Sequence, residues 1–423
     1  MSEELYNILK KCVDSTGLPV MNTSMFVHTT EKYGKEEFRK TLAEYITNEK
    51  PPFPFRKFSK DKVIREFHRF KRHDWTKWIS QRDKKDVIEK YDDYKYPYSQ
   101  YGLGVIDGPS TYNYISDSFM NDLRLACGSY GYKSPVQRWN DCDNLWGVFG
   151  PIWRGINSEK ELSPNMYMGA FRLGTYIATQ FKPTVAKTIY EMTDAKTVLD
   201  TSMGWGDRLT AFYASNATHY IGCDPNPNTF AKYKEMIKFY DKLTGGKKTT
   251  QIYECGAEDL PWDEIKNVDC AFTSPPYFST ERYNEGGKNE ELQSWAKFDE
   301  YDKWRDDFYL PVAQNSFNSL NDNGVLMTNI LDPKINGKRY RSGDQLCDML
   351  KDNFIGQVGM RIAQRPQGKN VFSKIVDNEE VFDKDAMDKF MDKIYIENIW
   401  CFSKDKDRDI FKHTKLGTLE EFI

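Results

Sequence analysis

Histidine and grouped cysteine are scarce in this chain. Five histidines and eight cysteines are spread through 423 residues, and Cys12, Cys127, Cys142, Cys223, Cys255, Cys270, Cys347 and Cys401 form no Cys-x-x-Cys pair. Neither a zinc site nor a disulfide framework is expected, since each needs thiols at short or matched spacings. No run of about 18 apolar residues occurs, so no membrane-spanning helix is predicted. The opening stretch Met1–Lys11 lacks the basic-then-apolar order of a secretory signal, and a soluble, intracellular protein is expected. Excess charge of one sign is missing too: 60 Lys plus Arg stand against 63 Asp plus Glu, a net charge of −3. Any contact with nucleic acid must therefore come from a local patch. Internal repeats and low-complexity tracts are absent.

Aromatic surface, by contrast, is plentiful. The chain has 26 Tyr, 26 Phe and 10 Trp, 15% of all residues, within a hydrophobic fraction of 39%. That supplies cores and leaves aromatics over for stacking. At roughly 100 to 200 residues per domain, two or three domains are expected. Turn-rich punctuation near Pro51–Pro54, Gly155–Pro164 and Gly337–Gly343 suggests where to divide them. Residues 1–160 read as a mainly helical, basic and aromatic region, from spacings such as Val63-Ile64-Phe67-Phe70 and Phe119-Leu123-Leu125. Residues 161–404 read as one α/β domain and 405–423 as a tail.

The α/β reading comes from short apolar runs that each end in turn residues and lead into an amphipathic stretch. These are Thr197–Asp200, Tyr220–Asp224, Gln251–Glu254, Val268–Phe272 and Gly324–Met327. Alternating strand and helix signals predict a parallel sheet. Two later strands, Ile355–Ala363 and Tyr395–Phe402, are expected to pair antiparallel at its C-terminal edge.

The ends of these strands carry the chemistry. After Asp200 come Thr201-Ser202-Met203-Gly204-Trp205-Gly206-Asp207-Arg208, a glycine turn that lets a ligand approach the backbone. Asp224, followed by Pro225, ends the second strand 24 residues later, the separation expected of a ribose-binding carboxylate. Glu258 and Asp259 follow the third strand, where one can accept from an adenine amino group. Thr273-Ser274-Pro275-Pro276-Tyr277 follows the fourth.

Together these segments resemble the amino-methyltransferases that use S-adenosylmethionine to modify exocyclic nitrogens of cytosine or adenine in DNA. The resemblance spans about residues 175–335. It implies a Rossmann-like, class I methyltransferase sheet, with Ser274, Pro275, Pro276 and Tyr277 as the catalytic loop. It also implies cofactor contacts from Phe181, Lys182, Pro183, Asp200, Ser202, Gly204, Trp205, Gly206, Asp224, Pro225, Glu258 and Asp259. The family usually has an aromatic where Ser202 stands; Trp205 either compensates or packs under the following helix. Serine at the head of the catalytic tetrapeptide resembles the cytosine-N4 branch, so cytosine N4 is favoured over adenine N6.

The need for such a loop follows from chemistry. The lone pair of an aromatic amine is delocalised into its ring, so an enzyme must accept hydrogen bonds from the NH2 and draw it towards tetrahedral geometry. Ser274 Oγ and the Pro275 carbonyl can accept, and two prolines stiffen the backbone while offering no N–H to compete. Tyr277 offers a face for an extruded base. Neither a metal nor a cysteine nucleophile is required, and none of the eight cysteines follows a proline, as the cysteine of cytosine-C5 enzymes does.

From Lys50 to Lys90 there are 14 Lys plus Arg against 6 Asp plus Glu, interleaved with Phe53, Phe55, Phe58, Phe67, Phe70, Trp75 and Trp78. This is either a phosphate-and-base surface centred on Arg65, Arg69, Lys71 and Arg72, or a solvated basic face over an aromatic core. Arg282, in the glycine-bearing stretch after Tyr277, is a further candidate contact, and that stretch is expected to act as a lid over the target base. DNA is the expected partner, with RNA as an alternative. Transfer to a protein amide, or a nucleic-acid-binding protein that keeps the fold without catalysis, are the other readings.

Overall fold

The computed structural model describes residues 2–99, 102–129, 131–141, 143–363, 372–376 and 379–416. The chain forms two compact units that interleave along the sequence. Met1–Val63, Asp117–Thr179 and Glu281–Gln293 make the first, and Ile64–Ser116, Gln180–Thr280 and Ser294–Ile423 the second. A single boundary near residue 160, expected from the turn-rich punctuation, therefore does not describe how the chain packs.

The first unit is helical. Helices Glu3–Lys11 and Thr23–Tyr33 begin at side-chain caps, Ser2 Oγ accepting from the Leu5 N–H and Asn22 Oδ1 from that of Met25. They pack with Lys35–Glu49 and Pro164–Gly174 around Leu5, Leu9, Phe38, Leu42, Trp139 and Phe171. Trp139 meets Phe53 and Tyr167 edge-on, and its indole N–H donates to the Pro51 carbonyl at 2.8 Å. The Pro51–Pro54 stretch is thus folded into this core.

The second unit is built on a ten-stranded sheet. In chain order its strands are β1 Ile79–Arg82, β2 Val87–Ile88, β3 Leu103–Ile106, β4 Thr197–Asp200, β5 His219–Cys223, β6 Thr249–Tyr253, β7 Val268–Thr273 and β8 Leu320–Asn329. A small hairpin, β9 Lys334–Ile335 and β10 Lys338–Arg339, stands apart, as does β12 Ser373–Val376 with β13 Glu379–Phe382; β11 Phe354–Arg361 and β14 Ile394–Ser403 rejoin the main sheet. The order is β1-β3-β11-β14-β8-β7-β4-β5-β6, with β2 alongside the start of β14.

Strands β4 to β8 run parallel. Strand β14 is antiparallel to both β8 and β11. This is the Rossmann-like sheet with the antiparallel C-terminal pair that the sequence predicts. The sheet continues beyond that pair through β3, parallel to β11, and β1, antiparallel to β3. In the centre of the sheet, β7 is buried apart from half-buried Asp269, and β8 is buried from Gly324 to Asn329 while Asp322 and Asn323 near its start are exposed. Helices Pro183–Met192 and Asp207–Ala214 are buried along almost their whole length against the sheet.

Helix Lys60–Arg72 buries Phe67 against Tyr240 and Phe70 against Tyr112 and Trp78, with ring centroids 5.1, 4.6 and 6.0 Å apart. The Lys187 ammonium donates to the carbonyls of Phe70, Lys71 and His73 at 2.8 to 3.0 Å, closing the helix's C-terminal end with a cation. No helix among the described residues is long and apolar enough to cross a membrane.

Candidate active site

Because β4 connects outward to β5 and β6 while β7 and β8 lie on its other side, the strand order reverses between β4 and β7. Ligands of open α/β sheets bind outside the carboxyl ends of the strands at such a point. The ends of β4, β5, β7 and β8 present Asp200, Asp224, Ser274 and Asn329 there.

On the β4 side, Gly204 and Gly206 take φ of 57° and 73°, left-handed values that favour glycine. Asp200 is fully buried: one carboxylate oxygen accepts from Arg208 Nε at 2.9 Å and the Tyr220 hydroxyl at 2.7 Å, the other from the Ser202 N–H at 3.2 Å. Arg208 also reaches the Ser202 carbonyl and lies 5.3 Å from the Phe181 ring centroid. Asp200 is thus engaged by protein on both oxygens and shapes the glycine turn from below. Trp205 is half-buried.

Asp224 is placed differently. Its Oδ1 accepts from the Asn226 N–H and the Thr229 hydroxyl, both at 2.9 Å, and its Oδ2 from the Gly204 N–H at 3.2 Å. The Tyr233 hydroxyl lies 2.9 Å from Oδ2 and also touches the Gly204 carbonyl, and its single hydrogen serves only one of them at a time. Oδ2 can therefore take a further donor. Burial raises the Asp224 pKa above the ordinary aspartate value, against hydrogen bonds that lower it. Pro225 is half-buried and leads into helix Pro227–Thr244.

Beyond β6, Lys297 binds Glu258 at 2.5 Å and Asp259 at 3.5 Å. Glu258 folds over Gly256, and its Oε2 is buried without a hydrogen-bond partner, whereas Asp259 is exposed. An orphaned buried acceptor suits a ligand N–H donor.

On the β7 side, Phe181 packs edge-on to Phe272 with centroids 5.7 Å apart, and its carbonyl accepts from Asn113 Nδ2 at 2.7 Å. Lys182 Nζ donates to the Arg361 carbonyl at 2.8 Å, and burial pushes its ammonium pKa down. Pro183 opens the next helix.

Ser274 is half-buried, and its Oγ lies 3.3 Å from both the Tyr277 hydroxyl and Asn329 Oδ1. Tyr277 is 9% exposed, and its hydroxyl donates to Asn329 Oδ1 at 3.0 Å. Pro275 is buried and Pro276 half-buried. Phe278, next in the chain, sits at φ 50°, a costly conformation for an aromatic residue. Tyr301, Trp304 and Tyr340 surround its ring at 5.5 to 5.9 Å and hold it there. The loop is rigid by packing as well as by proline.

The expected lid is bound into structure. Glu281–Gln293 groups with the helical unit. There the Asn284 N–H donates to Cys127 Sγ at 3.1 Å, the Tyr283 hydroxyl to Glu281 at 2.9 Å, and Arg282 pairs with Glu285 at 3.3 Å.

Arg65, Arg69, Lys71 and Arg72 are all exposed, and Arg69 lies 3.7 Å from Glu66. The neighbouring Phe67, Phe70 and Trp78 are core residues and give no stacking platform. Of the segment's aromatics, Phe53, Phe67, Phe70 and Trp78 follow the core reading, Phe58 and Trp75 are half-buried and Phe55 is exposed, while the four cations form an exposed basic face.

Sequence reasoning overlooked Arg208, Tyr233, Lys297 and Asn329. Asn329 carried a usable signal: it is a polar residue ending a parallel strand, as Asp200 and Asp224 are. A separate polar cleft of about 380 Å³ is lined by Asp194, Asp269, Asp322, Arg408 and His413. Asp269 there is already engaged by the Lys196 and Thr197 N–H groups and by Asn321. Among the described residues, no group of three or more His, Cys, Asp or Glu is placed to hold a metal ion.

No protein-family model matches the chain, and no curated protein is similar to it. Solved structures similar to it include an rRNA methylase from Streptococcus thermophilus, 12% identical over 53% of this chain and 99% of that one, with a TM-score of 0.28. Another is a precorrin-6y C5,15-methyltransferase from Geobacter metallireducens, 11% identical over 54% and 91%, TM-score 0.30. A third is a SAM-dependent O-methyltransferase from Thermotoga maritima, 12% identical over 53% and 67%, TM-score 0.29. Likenesses this faint carry no weight for substrate or chemistry, which rest on the residues themselves.

Proposed function

We propose that this chain transfers a methyl group from S-adenosylmethionine to the exocyclic amino group of a base in DNA, cytosine N4 in preference to adenine N6. The observation that carries the reading is the rigid Ser274-Pro275-Pro276-Tyr277 loop at the carboxyl end of β7, across the reversal point from a glycine turn backed by Asp224.

The residues fit the cofactor. Asp224 Oδ2 keeps capacity for a ribose hydroxyl, Glu258 Oε2 is an unpaired acceptor suited to the adenine amine, and Gly204 is exposed with nothing but the Ser202 carbonyl, at 3.7 Å, near the position a side chain would take. When bound, S-adenosylmethionine supplies an electrophilic methyl group on a sulfonium. Ser274 Oγ and the Pro275 carbonyl accept the amine hydrogens, which localises the nitrogen lone pair and aims it along the transfer line. Positioning of this kind supplies much of an enzyme's rate gain.

The exposed cations of helix Lys60–Arg72 favour a polyanionic acceptor over a protein amide. They serve RNA phosphates as well as DNA phosphates, so RNA is the second acceptor to measure. Incubation with labelled cofactor and DNA, RNA or protein extract separates the three: label in DNA nucleosides supports the proposal, and label confined to RNA or protein replaces it.

A further inference from the structure

We propose that Asn329 is a positioning residue that directs the Ser274 hydroxyl, drawing its hydrogen inward so that its lone pairs face the target amine. This rests on the reading of Ser274 as the amine's acceptor.

A serine hydroxyl has one hydrogen and two lone pairs, and it rotates freely unless something claims the hydrogen. If that hydrogen pointed at the amine it would compete for the lone pair that must attack. Asn329 Oδ1 lies 3.3 Å from Ser274 Oγ and 3.0 Å from the Tyr277 hydroxyl. The other inward neighbour of Ser274 is the Tyr277 oxygen, at 3.3 Å, whose own hydrogen goes to Asn329. Both inward partners can therefore accept from Ser274. A separation of 3.3 Å is long for a hydroxyl bond, and such bonds often tighten when substrate arrives.

The orientation of the Asn329 amide is set from its far side. Asn329 Nδ2 donates to the main-chain carbonyl of Asn398 at 3.2 Å, and a carbonyl only accepts, so Oδ1 must face the hydroxyls. Asn329 is 1% exposed and Asn398 0%. Asn398 is held in turn: its Nδ2 donates to Glu89 Oε1 at 2.7 Å and to Gln357 Oε1. The Ser274 hydroxyl thus ends a buried polar chain anchored in β8, β14 and β11. Burying amides is costly unless their bonds are made; Asn398 Oδ1 is left without a hydrogen-bond partner, but the bonds from Asn329 Nδ2 and Asn398 Nδ2 are made and set which way each amide faces.

The test is a double-mutant cycle read by single-turnover methyl transfer to sheared mixed-sequence genomic DNA, with cofactor affinity measured alongside. Asn329→Ala is expected to slow transfer by about tenfold to a hundredfold, somewhat less than removing a preorganised group that itself meets the reacting atoms. Cofactor affinity should stay at the wild-type level. In a Ser274→Ala, Tyr277→Phe background the same substitution is expected to cost less than about threefold, because residues acting as a unit are not additive. Equal losses in both backgrounds would make Asn329 merely structural and overturn the inference. Asn329→Asp provides the isosteric control: only a protonated carboxyl can both accept from Ser274 and donate to the Asn398 carbonyl, so its rate should climb towards acid relative to wild type. A flat ratio would count against the proposal even if the alanine variant folds poorly. If Ser274→Ala transfers at the wild-type rate, the reading of Ser274 fails and takes the inference with it. If Ser274→Ala is slow and Asn329→Ala is not, the inference alone fails.

Discussion

The β4–β5 side of the sheet's carboxyl edge and the β7–β8 side carry similar polar residues in different states. Around β4 and β5, two acids that look equivalent in the sequence divide the work. Asp200 is fully buried and bound to Arg208 and Tyr220, whereas Asp224 sits half-open beside the glycine turn with capacity on Oδ2. Around β7 and β8 the corresponding polar groups are neutral. Ser274, Tyr277 and Asn329 share neutral hydrogen bonds of 3.0 to 3.3 Å on a loop stiffened by prolines and a buried Phe278. Charge is kept where a cofactor's hydroxyls and amine would bind, and neutral acceptors where a weakly nucleophilic amine would react.

The sharpest way to break this comparison is to remove the acid assigned to structure. Asp200→Ala leaves Arg208 as an uncompensated buried cation, and breaking a buried pair in this way costs about 3 to 5 kcal/mol. Urea denaturation should show that loss; wild-type stability with weakened cofactor binding would return Asp200 to the ligand site. Next in size is Ser274→Ala, expected to lower single-turnover transfer by about a hundredfold to a thousandfold at unchanged cofactor affinity. Tyr277→Ala would also open the core, so Tyr277→Phe, which deletes only the hydroxyl bonded to Asn329, is the cleaner companion and should be milder.

Asp224→Asn is expected to weaken cofactor binding by roughly tenfold to a hundredfold, the range for removing one charge-assisted bond. The same carboxylate gives a pH signature. Its pKa is raised by burial, so as pH falls it takes up a proton before an ordinary aspartate would. Only the ionised form accepts on every lone pair. Calorimetry should therefore show affinity falling from a pH above the usual aspartate range in wild type, with a flatter profile in Asp224→Asn. An identical profile in both would assign the titration elsewhere. The smallest expected effect belongs to the basic face: neutralising Arg65, Arg69 and Arg72 should flatten the log-log salt dependence of DNA binding by about 0.9 for each phosphate that is no longer neutralised. An unchanged slope would make this helix a solvated face.

How legible these features were in the sequence follows from how local their causes are. Strands β4 and β7 announced themselves because each has a short buried apolar stretch, Val198-Leu199 and Cys270-Ala271-Phe272, followed by turn residues. Strands β1 and β3 did not, because β3 joins the sheet only by pairing with β11, far away in sequence, and β1 only through β3. Asp200 and Asp224 look alike as acids ending strands; what separates them is Arg208 and Tyr220 folding back onto one, a tertiary event. Phe67 and Phe70, which looked interleaved with cations, are spaced as one helix face and became core. Asn329 could have been noticed as a polar residue ending a strand, but the Asn398 carbonyl that orients it came into view only when β14 was laid beside β8.

The most direct test of the central claim is mass analysis of nucleosides from genomic DNA incubated with methyl-labelled S-adenosylmethionine and either the wild-type protein or Ser274→Ala. Label is expected on the exocyclic nitrogen of cytosine, with less on adenine, and should nearly vanish in the variant. Label on cytosine carbon 5, no label on any base, or equal labelling by the variant would contradict the claim.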